Sequence, residues 1–199
     1  MKEVDGLLVH ISTDYVFGEE PCTRPIGEER HPAPLNAYGR SKWHGEEAVL
    51  RSGVRYFLIR TAWLYSEYGN NFVKTMLRLT AERPALKVVS DQVGNPTYAG
   101  DLAAVIVRLL EQPRAVKEGI YHYSGEGECS WYEFARAIAA YAGHTGCVIQ
   151  PCSTAEYPLK ARRPAYSALN KDKIRQALGI VVPRWEDSLQ GCLSRMVTG

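Results

Sequence analysis

LLVHI, Leu7 to Ile11, is an unbroken apolar run with a single histidine in it, and two hydroxyl residues, Ser12 and Thr13, follow at once. A run without polar alternation predicts a parallel strand buried on both faces. Such a strand needs a neighbour on each side, and this one starts almost at the first residue, so something is expected to precede it. Working outward, residues 18–35 (GEEPCTRPIGEERHPAPL) are polar and rich in Pro and Gly, the composition of a loop. Asn36 is placed to cap a helix reaching about Ser52, where Gly53 stops it.

The same alternation of elements continues. Tyr56–Thr61 (YFLIRT) reads as a strand, Phe72 to about Glu82 as a helix opened by Asn70 and Asn71 and ended by Pro84, and Leu86–Ser90 as a short strand. Asp101–Glu111 reads as an apolar helix and Gly119–Ser124 (GIYHYS) as a strand. Ser130 and Glu133 form a capping box for a helix through Tyr141. Cys147–Pro151 suits a strand, and Asn170–Leu178 and Trp185 to about Met196 suit short helices. This β-α-β-α order predicts an α/β fold built on a doubly wound parallel sheet. Denser turns after about residue 125 predict a smaller lobe laid over the sheet's C-terminal edge, dividing the chain into 1–124 and 125–199 with interleaved segments.

Composition narrows the function. A net charge of +2 gives no electrostatic case for nucleic acid or an anionic membrane as the main partner. No apolar run approaches the ~20 residues of a membrane span. Glu3 and Asp5 precede the first short apolar run, which argues against a signal peptide. The five cysteines (Cys22, Cys129, Cys147, Cys152 and Cys192) are odd in number, with no C-x-x-C and no histidine at ligand spacing. They read as free thiols of a reducing cytoplasm, with no metal site.

Tyr38 and Lys42, in YGRSK, carry the chemistry. Positions i and i+4 share one helix face. An ammonium beside a phenol favours the phenolate, and a phenol so tuned gives a proton to a carbonyl oxygen or takes it back. With 12 tyrosines in the chain the bare spacing also arises by chance, as a surface Tyr over a Lys stem. Its setting makes the difference. The pair follows a strand ending in Ser12-Thr13, and ligands of open α/β sheets sit at strand C-termini.

Five blocks follow in order: STDYVFG (Ser12–Gly18), NAYGRSKWHGE (Asn36–Glu46), RTAWLYSEYGNNF (Arg60–Phe72), DQVGNPTYAGDLA (Asp91–Ala103) and RRPAYSALNKDKI (Arg162–Ile174). Together they resemble the dTDP-4-dehydrorhamnose reductase family of extended short-chain dehydrogenases. That resemblance implies a Rossmann-like NAD(P)-binding part over 1–124 and a mainly substrate-binding lobe over 125–199. It implies NADPH as cofactor, with NADH open, and a dTDP-sugar substrate whose C4 keto group is reduced to give dTDP-L-rhamnose. Tyr38 would be the proton donor. Lys42 would hold the nicotinamide ribose, with Ser12 on the cofactor side, and Thr13 would complete the triad at the sugar carbonyl. Thr13, Asp14, Trp63, Asn70, Asn71 and Arg163 would contact the substrate. Each has a plainer reading: Trp63 as core aromatic, the asparagines as helix cap, and Arg162 or Arg163 as surface charge. Asp91, Gln92 and Thr97 are expected chiefly to order loops.

Related 4,6-dehydratases carry Thr-Asp-Glu where this chain has Tyr15 third, so the eliminating base is absent and reduction fits better. The family's glycine-rich phosphate turn is also absent, since the sequence has neither G-x-G-x-x-G nor G-x-x-G-x-x-G. The resemblance therefore covers the later part of the family's chain, with the first βαβ units missing. Two alternatives stay open: a non-catalytic sugar-nucleotide or partner-binding fragment, and a chain that works as a homodimer or with a complementing N-terminal segment.

Overall fold

The computed structural model describes residues 4–111, 114–157 and 161–197. In chain order the elements are β1 (Leu7–Thr13), a 3₁₀ turn (Asp14–Val16), α1 (Ala37–Arg51), β2 (Arg55–Thr61), β3 (Leu64–Tyr65), α2 (Phe72–Glu82), β4 (Ala85–Val89), β5 (Val93–Gly94) and β6 (Thr97–Tyr98). They continue as α3 (Ala99–Glu111), β7 (Gly119–His122), β8 (Cys129–Ser130), α4 (Trp131–Tyr141), β9 (Val148–Cys152), α5 (Asp172–Leu178) and α6 (Trp185–Val197).

The main sheet is parallel, in the order β1-β2-β7. β1 and β2 run in full register from Leu7↔Arg55 to Thr13↔Thr61. Their C-terminal ends therefore finish at one level, and the polar residues there share one rim. Shorter pairs complete the architecture: β3 with β6 and β4 with β9, both parallel, and β5 with β8, antiparallel. The chain has the expected α/β character, and its sheet belongs to the Rossmann-like type.

Of three apolar cores among the described residues, the two larger hold the parts together. Phe57 and Ile59 of β2 and Tyr121 of β7 pack with Leu102, Val105 and Leu109 of α3 and with Ile174 and Leu178 of α5. The other core joins Val73 and Met76 of α2, Val88 of β4, Phe134 and Ile138 of α4, and Leu189 and Leu193 of α6. β3 and β6 contribute Tyr65 and Tyr98 to this second core and so tie it to the end of the first sheet.

Some expectations shift. LLVHI is half-buried rather than fully covered, because among the described residues β1 is paired on one side only, to β2. The strand expected to reach Ser124 ends at His122. Tyr123 N–H still donates to Arg60 O, but Gly125 N–H has turned to Thr97 Oγ1. α5 starts at Asp172, since Asn170 Oδ1 accepts from Asp172 N–H and closes a local turn first. The capping box is present, with Ser130 Oγ accepting from Glu133 N–H and Glu133 accepting from Ser130 N–H.

Candidate active site

The rim of the main sheet opens into a cavity of about 280 Å³. Ser12 and Thr13 come from the end of β1, Asp14 from the 3₁₀ turn after it, Tyr38 and Lys42 from α1, Thr61 from the end of β2 and Trp63 from the link between β2 and β3; Trp131, the first residue of α4, also lines the wall. Six residues picked from the sequence as separate candidates thus share one space.

The position of α1 follows from its first turn. Asn36 Oδ1 accepts from Gly39 N–H at 2.8 Å, and Asn36 Nδ2 donates to Arg162 O at 2.9 Å, so one side chain caps the helix and ties it to the C-terminal segment. Gly39 is required because a Cβ there would lie 2.1 Å from the carbonyl oxygen of Tyr15. That approach brings Tyr38 against Tyr15, edge to face, with ring centroids 5.8 Å apart. One turn on, Lys42 Nζ donates to Ile11 O at 2.7 Å, fixing the ammonium at the end of β1. Tyr38 is 55% exposed at the mouth, open to a ligand.

Behind it the polar groups are buried. Thr13 Oγ1 donates to Asp14 Oδ1 at 3.0 Å and accepts from Tyr15 N–H at 3.2 Å. Asp14 is only 2% exposed. Burial pushes its carboxyl up to about 6, while the hydroxyls of Ser167 and Thr13 pull it back. Burial, helped by the charge of Asp14, pushes the Tyr15 phenol up to about 12, so it stays protonated at neutral pH. Ser12 Oγ and Thr61 Oγ1 are buried without a hydrogen-bond partner among the described residues. Two orphaned hydroxyls at a strand end are groups a polar ligand would satisfy.

Trp63 is not an ordinary core aromatic. Its φ of 46° places a bulky residue in the left-handed region. Its indole stacks on Trp131, with centroids 3.5 Å apart and planes within 8°. Trp131 was not singled out from the sequence, where it reads as the first residue of a capped helix. Arg163 lies outside this cavity, on a second one of about 260 Å³ lined also by Phe72, Met76, Lys87, Val88, Gln92 and Trp131. Asn70 is exposed on the loop before α2 and does not line either cavity. Asn71 caps α2, with Oδ1 accepting from Lys74 N–H at 3.1 Å and Nδ2 donating to Ser66 O at 2.7 Å. Asp91 accepts from the backbone and hydroxyl of Thr154, Gln92 Nε2 donates to Thr154 Oγ1, and Thr97 Oγ1 receives Gly125 N–H, all of which order loops.

The chain matches the RmlD substrate binding domain over residues 1–198. It belongs to that family. Among curated relatives, the dTDP-4-dehydrorhamnose reductase of Sinorhizobium fredii is 45% identical over 189 residues, covering 91% of this chain and 63% of the relative. The family's solved structures include the Bacillus anthracis dTDP-4-dehydrorhamnose reductase in complex with NADP, 43% identical with a TM-score of 0.88, covering 97% of this chain and 66% of that one. The Clostridium acetobutylicum dTDP-4-dehydrorhamnose reductase orthologue superposes with a TM-score of 0.92 at 39% identity, covering 98% of this chain and 68% of that one. This member of the RmlD family thus spans about two thirds of the length of such relatives. No helix among the described residues is long and apolar enough to cross a membrane. No group of three or more His, Cys, Asp or Glu side chains among them is placed to hold a metal.

Proposed function

We propose that the whole protein is an NADPH-dependent oxidoreductase that reduces the C4 keto group of dTDP-4-dehydro-L-rhamnose to give dTDP-L-rhamnose, a precursor of cell-surface polysaccharide. The observation that carries this reading is the pairing of an accessible Tyr38 with Lys42, anchored to Ile11 O, at the mouth of a cavity that also holds Thr13 and Trp63. The names of the relatives supply the substrate class, and the NADP of the Bacillus anthracis structure supports the cofactor.

Tyr38 delivers the proton to the carbonyl oxygen as the C4 alcohol forms, and its position at the mouth brings the phenol to the ligand rather than to the core. Lys42, which lines the same cavity with its ammonium anchored to Ile11 O, holds the nicotinamide ribose. Thr13 faces the carbonyl end of the sugar, its hydroxyl oriented by Asp14 and the Tyr15 amide. Asp14 and Trp63 shape the sugar's side of the cavity, and Arg163, on the adjoining cavity, meets the diphosphate. The nicotinamide end of the cofactor suits the rim, where Ser12 Oγ and Thr61 Oγ1 are buried and unpartnered among the described residues; when bound, the cofactor supplies the hydride for C4. The residues 1–124 serve as the dinucleotide side and 125–199 mainly as the substrate lobe. Free thiols favour a cytoplasmic setting. The edge of β1 not paired to β2 is where a complementing segment would add.

The test is product formation. Whole protein incubated with NADPH and dTDP-4-dehydro-L-rhamnose should yield dTDP-L-rhamnose with one NADPH consumed per sugar. NADPH-independent binding of the sugar nucleotide without turnover would replace this reading by that of a non-catalytic binding module.

A further inference from the structure

Among the described residues, Trp131 alone lines both the cavity of Tyr38 and the cavity of Arg163. On the first side stand Thr13, Tyr38, Lys42 and Trp63; on the second stand Phe72, Met76 and Val88 with the cationic Lys87 and Arg163. The Trp63 indole is held by two neighbours. Trp131 stacks on it at 3.5 Å. The backbone of Gly94 also lies close to it, where a Cβ would come within 2.7 Å of Trp63 Cε2 and 2.8 Å of its Nε1. Gly94 and Trp131 are themselves coupled, because Gly94 pairs with Cys129 and Val93 with Ser130, the cap residue just before Trp131. Phe72 packs against Trp131, with ring centroids 4.6 Å apart.

This grip holds a residue whose own backbone does not favour its conformation. A tryptophan at φ 46° persists only where its surroundings over-determine it. Those surroundings are a stacked indole and a closely approaching glycine backbone. The part of the cavity wall that Trp63 forms is therefore set by Trp131 and Gly94 as much as by Trp63 itself.

We propose that Trp131 is a specificity-determining residue of this site: it is the partition that a sugar nucleotide straddles, with its sugar against Trp63 and Tyr38 and its anionic, ring-bearing remainder in the apolar cavity rimmed by Lys87 and Arg163. Gly94 is a positioning residue that acts through Trp63. The inference rests on the sugar-nucleotide reading of the site, and its experiment separates the two.

The probe is dTDP, titrated into the whole protein by calorimetry, together with the far-ultraviolet circular dichroism of the ligand-free protein. Two parallel indoles at van der Waals separation give an exciton-coupled band, and Trp131→Phe removes it without opening a large hole. Wild type should bind dTDP. Trp131→Ala should weaken that binding by about tenfold or more, Trp131→Phe should restore most of it, and Gly94→Ala should weaken it while altering the exciton band. In turnover with the keto sugar, Trp131→Ala should raise KM while leaving kcat within about threefold, because the proton donor is untouched. Thermal unfolding of each variant reports whether the fold is intact, and the Phe variant keeps the test valid if the Ala variant is unstable. Absence of dTDP binding by wild type overturns the sugar-nucleotide reading itself. Tight dTDP binding by wild type and unchanged binding by folded Trp131→Ala or Gly94→Ala overturns the roles of Trp131 as partition and Gly94 as its support.

Discussion

Arg60 Nη2 donates to Glu46 Oε2 at 2.6 Å, with 1% and 0% of the two side chains exposed. The pair joins β2 to α1. Tyr38, Lys42 and Glu46 are spaced i, i+4, i+8, so the buried tie continues the helix face that carries Tyr38 and Lys42. Arg60 also lies over the Phe17 ring at 5.0 Å. Removing one partner strands a buried charge, at a cost of about 3–5 kcal/mol. Glu46→Ala and Arg60→Ala should each show that loss in urea unfolding, and Glu46→Leu combined with Arg60→Met should recover most of it. A loss below about 1 kcal/mol in the single variants would mean that the pair is not what holds α1 on the sheet.

His122 gives a pH signature. Its Nε2 lies 3.3 Å from Arg60 Nη1 and its Nδ1 lies 3.0 Å from Ile26 O. A guanidinium only donates and a carbonyl only accepts, which assigns the neutral tautomer with the proton on Nδ1. Burial, and then the charge of Arg60, hold the imidazole down at about 3, against 6.5 for a free histidine. Between those values the unfolded chain binds the extra proton, so this group makes stability fall as pH drops from about 6.5 toward about 3. Asp14 works the other way: its folded carboxyl is raised to about 6 from 3.8, so it favours the folded state as pH falls through that window. Comparing wild type with His122→Gln isolates the first effect. The stability advantage of wild type over the variant should shrink between about pH 7.5 and about pH 5, and a constant difference would mean that His122 does not titrate as described.

The long elements were legible in the sequence because each carries a full period of pattern and a chemical boundary. Asn36, Asn71 and Ser130 cap the helices they were expected to cap. The pairs β3–β6 and β5–β8 were not legible, since two-residue strands show no periodicity and exist only through partners distant in the chain. The same reason hid Trp131 and Gly94, which meet Trp63 only after folding. Gly39 stands inside YGRSK, but the need for glycine there comes from the Tyr15 carbonyl, on another element. Arg60 and Glu46 look like ordinary surface charges in the sequence, where a strand arginine and a helix glutamate carry no sign that they will face each other.

The two asparagines before α2 separate by function. Asn71 commits both ends of its amide to the helix cap and the preceding loop. Asn71→Ala should cost about 1 kcal/mol of stability by thermal or urea unfolding. Asn70→Ala, at an exposed position, should leave stability within about 0.5 kcal/mol. A cost at Asn70 larger than that at Asn71 would contradict the placement of the cap.

The thiols should divide by exposure. Cys129, Cys152 and Cys192 are buried, and Cys22 and Cys147 are partly exposed. Burial pushes the Cys192 thiol up to about 12 and raises that of Cys129 further above the usual range. Under native conditions a thiol-reactive chromophore should titrate two cysteines quickly, with the other three released on unfolding. Rapid reaction of all five in the folded protein would contradict the packing of the second core.

Turnover by Tyr38→Phe puts the central claim, that this chain carries the proton donor of a sugar-nucleotide reductase, to its most direct trial. NADPH oxidation with dTDP-4-dehydro-L-rhamnose should fall by at least about a hundredfold in kcat while dTDP binding stays within about threefold of wild type. Retention of wild-type kcat by the folded Phe variant would contradict the role assigned to Tyr38 and, with it, the reading of the site.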